Sequence, residues 1–409
     1  MNETYQEVFH MLSNALFPNS MADQHVGNLE AVFQEMKAQS VAALPYEWLK
    51  LQNDSQSETI ARWKKWCLQS QTQWIKLMHG QSQLLALLEA KKIECVILKG
   101  AAAAMAYPEP SLRQMGDVDF LVKRFDRDKA ALLLENNGYC LEHEKDEKLH
   151  HYEYTKNGIH YELHWRIGIV QQSDEGLLSL LEEGIENREI KETEGFAFPV
   201  FPSELNGLVL ISHINQHLRS GLGLRQIIDW MMYVHQIQDL SEDVWTKKLR
   251  PLLRKTSMEK LALCVTVMCQ RYLGLPEPLD GCETVDIKVC DELMEYIMEK
   301  GNFGRKSGET GKIASVYLDM SNPIRMVKRL QAGGLSNWSA ARKHGYLRPF
   351  AWLFQIGHIS KRLIKKRITF QDMAGQHKEG VKQRELIKKL GLEVNKKSVC
   401  SKGFLHPKK

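Results

Sequence analysis

The sequence predicts an α+β fold: a small mixed-sheet core flanked by helical regions at the N-terminal and C-terminal sides. Two long stretches, before residue 90 and after residue 203, repeat apolar residues at three and four, the period of a helix. Between them, residues 93–166 carry short β-branched runs and an Asn-Gly turn between alternating arms, the pattern of strands and a hairpin. With 409 residues, 43% hydrophobic and 26% charged, the chain has enough apolar content to build a core without disulfides or a structural metal. These observations divide it into a helical N-terminal region (1–85), an α/β core (86–200), a helical domain (201–300) and a basic, partly flexible helical C-terminal region (301–409).

In the first region Trp63, Trp66, Cys67 and Trp74, then Leu77, Leu84, Leu85 and Leu88, mark one apolar helix face. The tryptophans there read as core. Residues 93–99 (Ile-Glu-Cys-Val-Ile-Leu-Lys) are a buried strand that ends at Gly100. A short alanine-rich helix over 101–107 is stopped by Pro108 and Pro110, and a polar loop leads to Gly116. Asp117 to Val122 is the second strand, and Phe125 to Asn136 an amphipathic helix closed by Asn137-Gly138. A strand near 139–142 follows. The hairpin pairs 152–155 with 159–166 across Lys156-Asn157-Gly158. In its second arm Ile159, Tyr161, Leu163 and Trp165 share one face, and His160, Glu162 and His164 the other. Helices are expected over 205–218, 224–236, 258–273 and 286–299, then a Gly-rich basic loop over 301–312. Residues 347–367 mix bulky apolar residues with a basic cluster.

Charge is unevenly spread. Residues 301–409 carry 24 Lys and Arg against 6 Asp and Glu, while the remainder carries 31 against 44. Such a basic field attracts phosphate-rich or acidic partners, unless it is simply a solvated tail. The sequence has no uninterrupted run of 18 apolar residues, so no transmembrane segment is expected, and Met1 to Phe17 shows no secretory pattern. Eight scattered cysteines form no Cys-x-x-Cys pair, which argues for reduced thiols and a cytoplasmic setting.

The chemistry is concentrated in 93–166. Strand period two places Asp117 and Asp119 on one face. Adjacent carboxylates repel unless a cation lies between them, and a hard divalent ion with oxygen ligands, Mg²⁺ or Mn²⁺, is the natural partner. Glu162, from a neighbouring strand, is the third carboxylate of such a site, with Glu142 and Glu144 as competitors. Gly100 suits a strand-to-helix turn near a ligand, and the following helix N-terminus favours phosphate. Lys99 either pairs the acidic cluster or holds a triphosphate. Arg113 either holds the triphosphate or braces its loop. His164 shares the Glu162 face, as a substrate contact, a proton carrier or a structural histidine. His213 and His217 read as packing or pocket residues, because His213-Ile214-Asn215-Gln216-His217 lacks the Glu of a zinc protease. Arg225 and Asp229 read as a helix-surface ion pair.

Together, Leu98-Lys99-Gly100, Arg113, Gly116-Asp117-Val118-Asp119 and Glu162-Leu163-His164-Trp165 resemble the uncharacterised bacterial nucleotidyltransferase family of the DNA polymerase beta-like nucleotidyltransferase superfamily. The helical stretch with His213, His217, Arg225 and Asp229 is similar to that family's downstream region, and the resemblance spans about residues 85–305. It implies that Asp117, Asp119 and Glu162 bind the metals, and that the chain transfers a nucleoside monophosphate from an NTP such as ATP to an acceptor, with Mg²⁺. One position departs: the superfamily's Ser after Gly is Ala101 here, so a hydroxyl that would grip phosphate is replaced by a methyl group. The other reading is a non-catalytic nucleotide-binding or scaffold protein, docking on an anionic membrane surface or acidic partner through Phe350 to Arg367.

Overall fold

The structure, a computed structural model, describes residues 2–17, 26–51, 58–143, 145, 150–168, 174–218, 221–240, 244–302, 323–365 and 370–392. It falls into two compact units, Met1–Phe303 and Gly304–Lys409.

In the first unit the N-terminal helices are α1 (Glu3–Leu16), α2 (Leu29–Ala38), α3 (Tyr46–Lys50) and α4 (Glu58–Glu89). Asn2 and Asn28 cap α1 and α2, each accepting a bond from a backbone N–H three residues on. The expected apolar face of α4 is buried at Trp63, Cys67, Trp74, Leu77, Leu84 and Leu88.

The sheet has seven strands in the order β3-β4-β5-β2-β1-β7-β6. They are β1 (Cys95–Leu98), β2 (Asp117–Val122), β3 (Cys140–Leu141), β4 (His151–Lys156), β5 (Ile159–His164), β6 (Glu189–Thr193) and β7 (Phe196–Val200). β2 runs parallel to β5 and β1 parallel to β7, so the sheet is mixed. The β4–β5 hairpin turns at Asn157 (φ 53°) and Gly158 (φ 68°), the two positive φ values that an Asn-Gly turn supplies at low cost. The helices around the sheet are α5 (Gly100–Ala104), α6 (Arg127–Asn136) and α7 (Glu175–Glu186).

Val118, Phe120 and Val122 of β2, Tyr152 and Tyr154 of β4, and Ile159, Tyr161 and Leu163 of β5 pack with α4 and α6 residues in one hydrophobic cluster. That consumes one face of the sheet. The opposite face is left for polar side chains, and period two decides which residues stand there.

A helical layer completes the unit: α8 (Ser203–His217), α9 (Leu224–Leu240), α10 (Arg250–Lys255), α11 (Glu259–Leu273) and α12 (Ile287–Lys300). Gly274 ends α11 in a left-handed conformation (φ 76°). The seven described cysteines are unbridged thiols, six of them buried.

The structure adds α7, α10, β6 and β7 to what the sequence predicts. It also shortens the alanine-rich helix to five residues, Gly100–Ala104, since the chain already turns from Met105. The Gly-rich loop expected over 301–312 lies outside the described residues beyond Asn302.

The second unit contains helices Pro323–Asn337, Ser339–Lys343, Ala351–Lys365 and Phe370–Lys389. Trp338 stacks on Phe354 at 4.9 Å, and Asn337 donates to Gln355. Tyr346, Phe350, Leu353 and Ile356 remain exposed. No helix of the described residues is long and apolar enough to cross a membrane.

Candidate functional site

Three strands build the polar face of the sheet. Asp117 and Asp119 of β2 stand opposite His160 and Glu162 of β5, and Leu121 opposite His164. On the far side of β5, β4 sets Glu153 against Glu162 and His151 against His164. A strip of acidic and imidazole side chains results, with the hydrophobic cluster directly beneath it.

Asp119 is the most enclosed carboxylate of the strip, 4% exposed. Its Oδ1 accepts from Lys99 Nζ at 2.8 Å and meets His164 Nε2 at 3.1 Å. The same His164 nitrogen lies 3.1 Å from Glu162 Oε2, and Lys99 Nζ lies 3.9 Å from that oxygen. Ligand atoms of Asp119, Glu162 and His164 fall within 4.8 Å of one another. Asp117, one turn of the pleat away, stands outside that group, and its carboxylate makes no hydrogen bond or ion pair among the described residues.

Lys99 reaches this strip through an unusual backbone. Leu98 pairs with Asp119 in register, so strict alternation would send Lys99 to the apolar face. Instead Lys99 adopts φ 48° and ψ −124°, a region L-residues avoid, and its ammonium comes back to Asp119. Gly100 follows, buried; a Cβ there would come within 3.3 Å of Met115 Cε, on the loop that leads to Asp117. Ala101 packs in the hydrophobic cluster, so this turn offers a ligand Lys99 and no hydroxyl. With only five residues, α5 also has a small dipole, which weakens the expected attraction of its N-terminus for phosphate.

The charges are strongly coupled. Burial, then repulsion from Asp119 and Glu162, pushes the Asp117 carboxyl up to about 6. Burial also works against ionised Asp119 and Glu162. The nearby Lys99 ammonium and the His164 hydrogen bond outweigh it and hold both carboxyls below their ordinary range. Burial favours neutral His164, but its bonds to Asp119 and Glu162 raise it above the usual imidazole value.

Arg113, expected at a triphosphate, is engaged elsewhere. It is 4% exposed and grips Asp229 of α9 with two bonds, Nε to Oδ1 at 3.0 Å and Nη2 to Oδ2 at 2.6 Å. Tyr107 donates to the same Asp229 Oδ1 at 2.8 Å. Asp229 is therefore buried, 1% exposed, and not the surface half of a pair with Arg225. Arg225 lies in the field of Asp229 and donates to the carbonyl of Gln114, at 3.1 Å. These bonds tie the loop before Asp117 to α9.

Above the strip lies a narrow crevice lined by Lys99, His150, His164, Gly168, His213 and Gln216, among others. A wider groove of about 210 Å³ opens beside the same loop, lined by Trp66, Gln69, Ser70, Gln73, Gln114 and Met115. His213 and His217 stand edge to face at 4.4 Å, and burial holds both imidazoles far below their ordinary value, His217 down to about 3.

Of the residues singled out from sequence, the structure brings Lys99, Asp119, Glu162 and His164 into contact and sets Asp117 beside them. Glu142 pairs with His160 instead, at 2.7 Å, and Glu144 lies outside the described residues. Sequence reading missed His150 and His151, although His151 faces His164 across the hairpin whose register the Asn-Gly turn determines. It also missed the Arg113–Asp229–Tyr107 contact, which joins residues 116 and 122 positions apart and has no local signal.

The donor set suits a hard divalent cation. Two carboxylates already converge, and a third stands on the same face with no partner among the described residues, its affinity for a proton raised by burial and then by the negative charge of the other two. Lys99 supplies the compensating positive charge in this arrangement.

A comparison with known families matches residues 27–274 to one described as uncharacterised nucleotidyltransferase. No curated protein matches the chain. The matched segment covers more than half of the sequence and contains the whole polar strip together with α8 and α9, and on that basis the chain belongs to the uncharacterised nucleotidyltransferase family.

Proposed function

We propose that the polar face of the sheet transfers a nucleoside monophosphate from an NTP to an acceptor oxygen, using Mg²⁺ or Mn²⁺ held by Asp117, Asp119 and Glu162. The observation that carries this reading is the meeting of Asp119 and Glu162 on adjacent parallel strands, with Asp117 on the same face and without a partner among the described residues. The acceptor oxygen attacks the α-phosphorus, the bond to the bridging oxygen breaks, and pyrophosphate leaves with the electron pair. Bound divalent ions supply Lewis-acid charge at the triphosphate.

The chain's own groups do the positioning. His164 bonds both Asp119 and Glu162 and fixes their oxygens. Lys99, held beside them by its turn, neutralises the carboxylates without nucleotide and turns its charge to phosphate oxygens when nucleotide is bound. Glu162 completes the cation site or helps take the acceptor's proton. Arg113 acts through Asp229, by holding the loop from which Asp117 projects. Gly100 lets that loop pack close to the turn.

The test is incubation of the full chain with radiolabelled ATP, CTP, GTP or UTP, Mg²⁺ and cell extract as the source of acceptor. Transfer of label by the wild type and its loss in Asp117→Asn plus Asp119→Asn supports the reading. Equal transfer by that double variant, or none by the wild type, defeats it.

A second reading draws on a different feature. Phe350, Leu353 and Ile356 are exposed on one stretch that ends in exposed Lys361, an arrangement suited to an anionic membrane surface. Lys366 and Arg367 of the same cluster lie outside the described residues. In this reading the nucleotide site serves as a sensor or scaffold in the cytoplasm. Flotation with vesicles containing phosphatidylserine, but not with neutral vesicles, supports membrane docking; flotation with neither rejects it.

A further inference from the structure

His150 and His151 open strand β4 beside His164 of β5, and ligand nitrogens of the three rings lie within 4.8 Å of one another. Ring centroids are 4.4 Å apart for His150 and His151, 5.0 Å for His151 and His164, and 5.7 Å for His150 and His164. His151 is 6% exposed and His164 3% exposed. Each of these two rings has one nitrogen already spent on a carboxylate. His151 Nε2 lies 3.2 Å from Glu153 Oε1, and His164 Nε2 lies 3.1 Å from Asp119 and from Glu162. The other nitrogen of each ring, Nδ1, is buried and has no hydrogen-bond partner among the described residues.

That pairing has a chemical direction. In the neutral ring a carboxylate on Nε2 holds the single proton there, which leaves Nδ1 as a lone pair. A buried lone pair without a donor is costly in a folded protein. Metal-binding imidazoles show this same division of labour: one nitrogen on the ion, the other donating to a carboxylate that fixes the ring. We propose that His150, His151 and His164 form a binding site for a borderline-soft divalent transition ion of the Zn²⁺ class, separate from the oxygen-ligand site on Asp117, Asp119 and Glu162.

Three imidazoles with no oxygen ligand select such an ion over Mg²⁺, which prefers oxygen. Three protein ligands leave a fourth position open, and two of the rings, His150 and His164, line the crevice together with Lys99, His213 and Gln216. Lys99 opposes the added charge, while Glu153, Asp119 and Glu162 behind the rings offset it. His164 belongs to both groups, with Nε2 on the carboxylates and Nδ1 without a hydrogen-bond partner among the described residues. The site does not depend on nucleotidyl transfer taking place.

The experiment is titration of the full chain, first stripped with a chelator, with Co²⁺ as a spectroscopic probe and Zn²⁺ as competitor. The expected result is one equivalent of Co²⁺ with the intense visible bands of a four-coordinate ion, displaced by Zn²⁺ and not by Mg²⁺. His150→Ala, a change at a partly exposed residue, weakens binding about tenfold or more. Glu153→Gln keeps all three rings but removes the carboxylate behind His151, and weakens binding about 10- to 100-fold. Asp117→Asn leaves the bands and affinity unchanged. A Zn²⁺-dependent rise in the melting temperature of the wild type, missing in His151→Gln, reports the same site without spectroscopy. Absence of the bands in the wild type, unchanged affinity in His150→Ala, or loss of the bands in Asp117→Asn overturns the proposal.

Discussion

Lys99 carries more of the site than its place at the end of a strand suggests. Its positive φ costs on the order of 1–3 kcal/mol for an L-residue, and that cost is offset by an ammonium set against buried Asp119 and partly buried Glu162. Removing the ammonium leaves Asp119 and Glu162 without their cation. Lys99→Met is therefore expected to lower the stability of the metal-free protein by about 3 kcal/mol, in the range for breaking a buried ion pair. If a divalent ion occupies the same field, Mg²⁺ will raise the melting temperature of Lys99→Met more than that of the wild type. Differential scanning calorimetry checks both, and equal Mg²⁺ responses in the two proteins would contradict the role given to Lys99. This residue was legible in part. The run 93–99 reads as a strand ending in Lys-Gly, so a turn was plain, but alternation alone sends the side chain to the wrong face. Only the left-handed turn corrects it, and no local sequence rule assigns that conformation to a lysine.

At the scale of elements, the loop from Tyr107 to Gly116 is the part whose support is least visible locally. It is anchored to α9 by the buried Arg113–Asp229 pair and by Tyr107. Asp229→Ala strands the Arg113 guanidinium in the interior, and a loss of about 3–5 kcal/mol is expected. Asp229→Asn keeps an acceptor and the shape, so its loss should be smaller. Urea unfolding of the two variants measures the difference; a loss below about 1 kcal/mol for Asp229→Ala would show that the loop is held by something else. The β4–β5 hairpin lies at the other extreme. Asn157-Gly158 and the alternation of Ile159, Tyr161 and Leu163 with His160, Glu162 and His164 define its turn, register and faces from sequence alone. Strands β6 and β7 were not legible. β6 is Glu-Ile-Lys-Glu-Thr at the sheet edge, with Ile190 exposed and no apolar face to signal it. β7 contains Pro199, which argues against an interior strand. The proline is tolerated because β7 meets β1 at a single register pair, Ile97 with Val200, and Pro199 stands opposite Ile190 of the edge strand.

The whole molecule should respond to acid through its buried imidazoles. His150 and His217 are pulled down to about 2 and about 3, chiefly by burial, and His213 also lies well below 6.5. In the unfolded chain these groups bind protons below about pH 6.5, while in the native protein they stay neutral. Their stabilising contribution is therefore complete above that pH and falls away as the solution is acidified toward 3. Each accounts for about 1.4 kcal/mol per pH unit in that window. Asp117, raised to about 6, acts the other way between about pH 6 and 4, since the native carboxyl there holds a proton that the unfolded one has lost. His164, raised above 6.5, also favours the native state once the pH has fallen through its native value. Three groups against two leave a net loss below about pH 6.5. The metal-free protein should melt at a progressively lower temperature from about pH 6.5 to about pH 5, and a melting temperature that is flat or rising over that interval would contradict the buried neutral imidazoles.

The proposed activity requires Asp117, Asp119 and Glu162 to hold a divalent ion in company with nucleotide. Electron paramagnetic resonance of Mn²⁺, with the full chain and a non-hydrolysable NTP analogue, tests it most directly. Wild-type protein is expected to bind Mn²⁺ more tightly with the analogue than without it, and Asp117→Asn plus Asp119→Asn to lose that binding while His150→Ala keeps it. Equal Mn²⁺ affinity in the wild type and the double aspartate variant, with or without the analogue, would contradict the claim.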